Sequence, residues 1–97
     1  MLDIPVSFSV YQNYPNPFNP STTIEFDVAT PANISLVVYD LTGKEVYSLA
    51  NGYHVPGRYS VVWYANDANG EQVSSGMYIY QLRTSDAVIT KKLVLLR

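Results

Sequence analysis

Tyr14-Pro15-Asn16-Pro17-Phe18-Asn19-Pro20-Ser21-Thr22-Thr23-Ile24-Glu25-Phe26-Asp27-Val28 divides into two unlike halves. The first half holds three prolines, which forbid helix and remove three backbone donors from any ladder. Tyr14, Asn16 and Asn19 each precede a proline and are driven toward extended or polyproline geometry. The second half alternates with a period of two. Ile24, Phe26 and Val28 face one way and Thr23, Glu25 and Asp27 the other, the pattern of a half-buried strand. A stiff extended lead-in followed by a strand predicts a β domain starting at 14. Residues 1–13 are expected to be a linker or the end of a preceding region, and the strand from Thr22 an edge or opening strand.

Outward from this stretch the same period recurs. Thr30-Pro31-Ala32-Asn33 turns the chain, and Ile34, Leu36 and Val38 then alternate with Ser35, Val37 and Tyr39. Asp40-Leu41-Thr42-Gly43 is a hairpin signal leading to a partner strand over 44–49 that inserts Val46 and Leu49. Asn51-Gly52 and Pro56-Gly57 are expected to bound a loop carrying Tyr53 and His54. The strand over 58–64 puts Tyr59, Val61 and Trp63 on one face. After the turn-rich run Asn66-Asp67-Ala68-Asn69-Gly70, Tyr78, Tyr80 and Leu82 alternate with Met77, Ile79, Gln81 and Arg83. The last strand covers 87–97. No window sustains a helical period, and β-branched and aromatic residues dominate. The prediction is an all-β, immunoglobulin-like two-sheet antiparallel sandwich of about seven strands. Trp63 fills the space between the sheets, and Tyr78 or Tyr80 is a candidate corner tyrosine with its hydroxyl on backbone.

With 97 residues the chain is one domain. Cysteine is absent, which removes disulfides, thiolate catalysis and cysteine metal sites and leaves the redox compartment open. A net charge of −2 provides no basic patch for nucleic acid. No apolar run has membrane-spanning length. Met1-Leu2-Asp3-Ile4-Pro5 lacks the pattern of a signal peptide, so any export signal is expected upstream. Charge is uneven: Lys91, Lys92 and Arg97 are three of the six basic residues, and residues 91–97 contain no acid.

Few residues offer chemistry. His54 is the sole histidine, and no serine stands in a nucleophile-elbow setting, so it is an ordinary loop histidine. Glu25 and Asp27 share a strand face and fit the polar side of an edge strand better than an acid–base pair. The run from Asn66 to Glu71 has the oxygen density of a calcium loop, yet it is too short for an EF-hand and equally suits an Asx turn. No cofactor is expected. Nine tyrosines leave room for an accessory carbohydrate-binding or adhesion module, with Tyr39, Tyr47 and Tyr64 assigned to outer faces. The tail Leu93-Val94-Leu95-Leu96 is apolar on both faces. It reads either as a closing strand or as a tag that a partner adds to a sheet edge.

Four segments together resemble one family. Tyr14-Pro15-Asn16-Pro17-Phe18-Asn19-Pro20-Ser21-Thr22, Val38-Tyr39-Asp40-Leu41-Thr42-Gly43-Lys44, Ser75-Gly76-Met77-Tyr78 and Lys91-Lys92-Leu93-Val94 look like the type A C-terminal sorting domain of the type IX (Por) secretion system. The resemblance runs from Tyr11 to Arg97, and the family is similar in shape to the immunoglobulin-like domain of flagellar hook-capping proteins. It implies a non-enzymatic delivery signal on a larger protein of the Bacteroidota or their relatives. Such a protein reaches the periplasm by its own N-terminal signal, and the outer-membrane translocon recognises its C-terminal domain. The cargo ends outside the cell or on its surface, in many members after a sortase-like cysteine protease removes the domain and joins the cargo to anionic lipopolysaccharide. The resemblance places Pro15, Asn16, Pro17, Asp40, Gly43, Gly76 and Tyr78 in architectural roles. It makes Lys91, Lys92, Leu93, Val94, Leu95, Leu96 and Arg97 the signal tail. The ending Leu95-Leu96-Arg97 is longer than the common lysine-ended form.

Overall fold

A computed structural model describes residues 5–97, and the alternation of the sequence is realised in seven strands among them. These are β1 (Ser9–Val10), β2 (Thr22–Val28), β3 (Ala32–Tyr39), β4 (Glu45–His54), β5 (Gly57–Trp63), β6 (Gly76–Arg83) and β7 (Val88–Leu95). They form two antiparallel sheets, one ordered β1-β2-β5 and the other β4-β3-β6-β7. The expected sandwich is therefore present. Ile24, Phe26 and Val28 from one sheet meet Leu36, Val38, Tyr80, Leu82, Leu93 and Leu95 from the other, all fully buried, with Trp63 and Phe18 between them. Removing this apolar surface from water is the main stabilising term, at roughly 25 cal/mol per Å².

The lead-in differs from its expected role as a tether. Met1 to Ile4 of the expected linker 1–13 lie outside the described residues. Ser9 and Val10 pair with Asp27 and Phe26 as β1, and Val10 is buried. The pairing continues through Tyr11 N–H to the Glu25 carbonyl and through a reciprocal pair of bonds between Tyr14 and Thr23. β2 is thus the central strand of its sheet and not an edge. The reason is tertiary: Val10 reaches the shared core, and a two-residue strand has too little pattern to be seen in a sequence. Beyond Tyr14 the chain leaves β2 and crosses to the other sheet. Phe18 forms a parallel bridge with Leu95, donating its N–H to the Val94 carbonyl and accepting from Leu96 N–H. Residues 11–20 are a strap between the two sheets, and their prolines stand exposed where no ladder donor is required.

β4 also departs from expectation. Instead of ending near Leu49 it runs ten residues to His54, so Asn51 and Gly52 lie inside a strand and His54 is not in a loop. β4 is two residues longer than its partner β3. The register shows where they go: Leu36 pairs with Ala50 but Val37 with Ser48, and Val38 pairs with Tyr47 but Tyr39 with Glu45. Leu49 and Val46 are the extra residues of two β-bulges. Each bulge turns two successive side chains inward, so that Val46, Tyr47, Leu49 and Ala50 all reach the core. This overturns the outer position expected for Tyr47. A bulge breaks the period of two, and for that reason alternation lost the strand.

Both candidate corner tyrosines place their hydroxyls on backbone. Tyr78 donates to the Ser74 carbonyl at 2.6 Å. Tyr80, fully buried, donates to the Tyr11 carbonyl at 2.7 Å and accepts from Asn13 N–H at 2.8 Å, and burial pushes its hydroxyl up to about 12. Tyr80→Phe leaves a part-buried carbonyl and a buried N–H without this partner. It is expected to lower stability by about 1–3 kcal/mol in denaturant unfolding, while Tyr64→Phe, at an exposed position, changes nothing measurable.

Candidate functional site: the strap and the closing strand

β7 is the last strand of its sheet, paired to β6 from Gly76–Leu95 to Arg83–Val88. Its inward residues Leu93 and Leu95 are fully buried in the core shared by the two sheets, and Ile89 packs against the same core. Lys91 and Lys92 point to opposite faces. Lys91 lies across from buried Tyr80 and is half-buried, whereas Lys92 lies across from Ile79 on the outer face and is exposed. Val94 is half-buried and Leu96 exposed. The apolar tail is therefore a closing strand, covered on its inner face by the core.

The outer edge of β7 is covered as well over its C-terminal half, residues 92–96. Gln12 Nε2 donates to the Lys92 carbonyl at 2.7 Å, Val94 N–H donates to Asn16 Oδ1 at 2.9 Å, and Phe18 closes the row with its two backbone bonds. Asn16 thereby acts as a substitute carbonyl for the strand. The strap is fixed from below by a buried polar cluster that the sequence reading missed. Asn13, 2% exposed, donates from Nδ2 to the Pro15 carbonyl and to Thr22 Oγ1, and Thr22 Oγ1 donates to the same carbonyl at 2.8 Å. Asn13 was assigned to the linker, and no local signal marks it, because its partners include Tyr80, sixty-seven residues away. Phe18, also missed, is 2% exposed with its ring centroid 5.7 Å from that of Trp63.

Arg97, the last residue of the signal tail, is held by the loop 65–75. Its guanidinium donates to the Val73 carbonyl, Gln72 Oε1 and the Ala65 carbonyl, and its N–H to Ser75 Oγ. It fastens the loop 65–75 to β7.

The architectural candidates occupy turns and core. Asp40 Oδ1 accepts from Thr42 N–H, Thr42 Oγ1 and Lys44 N–H, and Gly43 N–H reaches the Asp40 carbonyl. The Thr42 hydroxyl, opposed by desolvation and supported by these N–H groups, holds the Asp40 carboxyl below its ordinary value. Asp67 repeats this arrangement, accepting from Asn69 and Glu71 N–H, with Gly70 N–H on its carbonyl. The two turns have φ of +90° at Gly43 and +82° at Gly70, a region open to glycine and strained for other residues. They flank a cleft of about 510 Å³ lined by Asp40, Lys44, Asp67, Asn69, Gln72 and Tyr78. One oxygen of Asp67 is engaged by N–H groups of its own turn, the Asx-turn use of the run 66–71. Among the described residues no cluster of three or more His, Cys, Asp or Glu is poised for a metal ion. Gly76 opens β6, and Tyr78 contributes to the core with its ring 5.7 Å from Trp63.

The residues considered for catalysis stand apart. His54 lies edge-on to Tyr59 at 4.8 Å with Nδ1 3.0 Å from the Gly52 carbonyl. Glu25 is exposed on the outer face of β2. Asp27, on the same face, is buried beneath Tyr11 and Arg58: it accepts from Arg58 Nε at 2.8 Å and from Tyr11 Oη, and Arg58 stands 4.8 Å from the Tyr11 ring centre. The hydrogen bonds from Arg58, aided by Tyr11 and opposed by burial, hold the Asp27 carboxyl below its usual range. The tyrosines assigned to a carbohydrate surface do not share one. Tyr39 is on the outer face of β3, Tyr47 faces inward from β4, and Tyr64 follows β5 in the other sheet.

A family model described as the secretion system C-terminal sorting domain matches residues 12–96. The chain belongs to that family. The sorting domain is the C-terminal signal of the type IX system, so it directs the protein that bears it to secretion across the outer membrane. No curated protein sequence gives a significant match. Among solved structures, the dimeric latent PorU of Porphyromonas gingivalis superposes with a TM-score of 0.70 at 20% identity, over 98% of this chain and 10% of that one. PorZ of the same organism, described as an essential bacterial surface component of the type IX secretion system, gives 0.59 at 24% identity over 93% and 11%. These likenesses show the fold. The sorting domain spans about a tenth of the length of either protein.

Two outcomes follow from the geometry. Leu95→Ala is expected to cost about 2–5 kcal/mol by denaturant melting, while Leu96→Ala stays within about 0.5 kcal/mol. Asp27 has a folded pKa below its unfolded value, so its contribution is complete above the unfolded value and is lost as pH falls through the folded one. A series of melting temperatures on the acid side of about pH 4 is expected to fall less steeply for Asp27→Asn than for the unaltered domain.

Proposed function

We propose that this domain is a folded, non-catalytic address that the outer-membrane translocon reads through the outward groups of β7, and that its cargo is finally released or attached at the cell surface. The match of the family over residues 12–96 is the observation behind this reading, because it takes in the strap and all of β2 to β7 and not one motif. Burial supports a division of the signal tail by role. Leu93 and Leu95 hold the strand in the core and Arg97 fastens the neighbouring loop, which leaves Lys92, Val94 and Leu96 facing outward. A surface sortase-like cysteine protease is the partner proposed for the step after export, acting ahead of the sandwich where the cargo joins it.

A reporter fused ahead of Pro5 and expressed with a periplasmic signal in a host carrying the type IX system tests the proposal. The expected outcome is reporter in the medium or on the surface. Deleting residues 91–97 is expected to abolish export, but that deletion also removes two core leucines, so Lys92→Glu is the sharper variant. It is expected to reduce export with the melting temperature unchanged. A reporter that stays in the periplasm with the intact domain attached would falsify the proposal.

A further inference from the structure

We infer that the open edge of β5 is a pairing surface for a second copy of this chain, joined antiparallel about a two-fold axis through Ser60. Such pairing is independent of the domain's part in export. The other sheet edges are guarded against strand addition. β7 is strapped over residues 92–96 by Gln12, Asn16 and Phe18. β4 carries two bulges, and β1 is only two residues long. β5 has none of these devices. It runs seven residues in unbroken register with β2 and contains neither proline nor lysine. Its one charged residue, Arg58, is drawn back over the outer face of the sheet. There Nε donates to Asp27 Oδ1 at 2.8 Å, and the guanidinium stands 4.8 Å from the centre of the Tyr11 ring. Among the described residues no other segment pairs with this edge.

The hydrogen bonds of β2 fix which groups of β5 point outward. Thr23 gives both backbone groups to Tyr14, and the Glu25 carbonyl accepts from Tyr11 N–H, so Thr23 and Glu25 are turned away from β5. Val62 and Ser60, their partners across the ladder, therefore direct their own N–H and C=O groups to the open side, as does Arg58 at the next alternate position. A two-fold axis through Ser60 sets Ser60 against the partner's Ser60 and Arg58 against the partner's Val62. Every outward group then finds a partner, and no like charges meet. The core favours a copy over a lone peptide. Tyr59 and Val61 face inward from β5 and pack on the core yet stay half-buried, whereas Ile24, Phe26 and Val28 of β2 are fully buried. In this register Tyr59 lies across from the partner's Val61, at the closer of the two antiparallel spacings, so each copy extends the core of the other. A lone peptide strand brings no second sheet to close over these side chains.

Sedimentation of the 97-residue chain from about 10 µM to about 1 mM is expected to show the mass rising from 10.9 kDa toward twice that value. A mass that stays at a single chain over the whole range overturns the proposal. Ser60→Pro removes the outward N–H at the axis, where the ladder to β2 needs no donor. It is expected to keep the melting temperature and to remain a single chain. A folded Ser60→Pro variant that dimerises like the unaltered chain overturns pairing through β5. Cysteine, absent from the chain, tests the register independently. At the axis the two Cα atoms of residue 60 stand about 5.5 Å apart, within reach of a disulfide, whereas residue 62 faces the partner's Arg58. Under mild oxidation Ser60→Cys is expected to form the covalent dimer about tenfold faster than Val62→Cys. Equal or reversed rates overturn the axis through Ser60, whether or not the proline variant folds.

Discussion

A strand at the edge of a sheet has a row of N–H and C=O groups without partners, and such a row invites pairing with any other chain. In this domain the far edge of β7 is occupied by residues 12–18 of the same molecule, through Gln12, Asn16 and both backbone groups of Phe18. Much of the remaining structure serves that contact. Asn13 and Thr22 hold the Pro15 carbonyl, the Tyr80 hydroxyl holds the backbone at residues 11 and 13, and the Phe18 ring closes the core over Trp63. The prolines belong to this arrangement because the segment changes sheets. Once it leaves β2 it needs donors at only a few points, and a stiff backbone there lowers the entropy lost on docking.

The consequence for function is that the two ends of the domain are one object. A tail that is short, apolar and basic suggests a flexible tag, yet here the apolar residues are in the core, and Arg97 is bound to four groups of the loop 65–75 and its flank. The loop 65–75 and the β3–β4 hairpin are shaped by a different device, the Asx turns at Asp67 and Asp40, whose acidic oxygens accept from their own backbones. Those turns shape a cleft while leaving the strap and β7 free of it.

Strands whose residues obey a period of two were readable in advance. β2, β3, β5 and β6 bury the faces assigned to them, and Tyr78 and Tyr80 place their hydroxyls on backbone. Where the period fails, local reading fails with it. In β4 two bulges rotate Val46, Tyr47, Leu49 and Ala50 inward, so that Tyr47 was assigned to the wrong face and His54 to a loop. β1 has only two residues and is a strand solely because β2 lies beside it. Of the candidate site, the tail and the proline motif were each visible as segments, but their contact was not: it joins residues about eighty apart, and no local preference encodes such a pairing.

The sequence by itself determined the fold class, the two-sheet packing and the family, because these depend on alternation, turn chemistry and motif order, all properties of neighbouring residues. Tertiary structure alone decided that the strap is part of the sandwich, that β2 is central, and that Leu93 and Leu95 serve the core while Lys92 and Leu96 face out. Those facts depend on which backbone groups find partners across the chain, and a buried polar group such as Asn13 acquires its role only from what surrounds it. The proline stretch and the basic tail are visible as separate signals in the sequence; in space they are two halves of one edge.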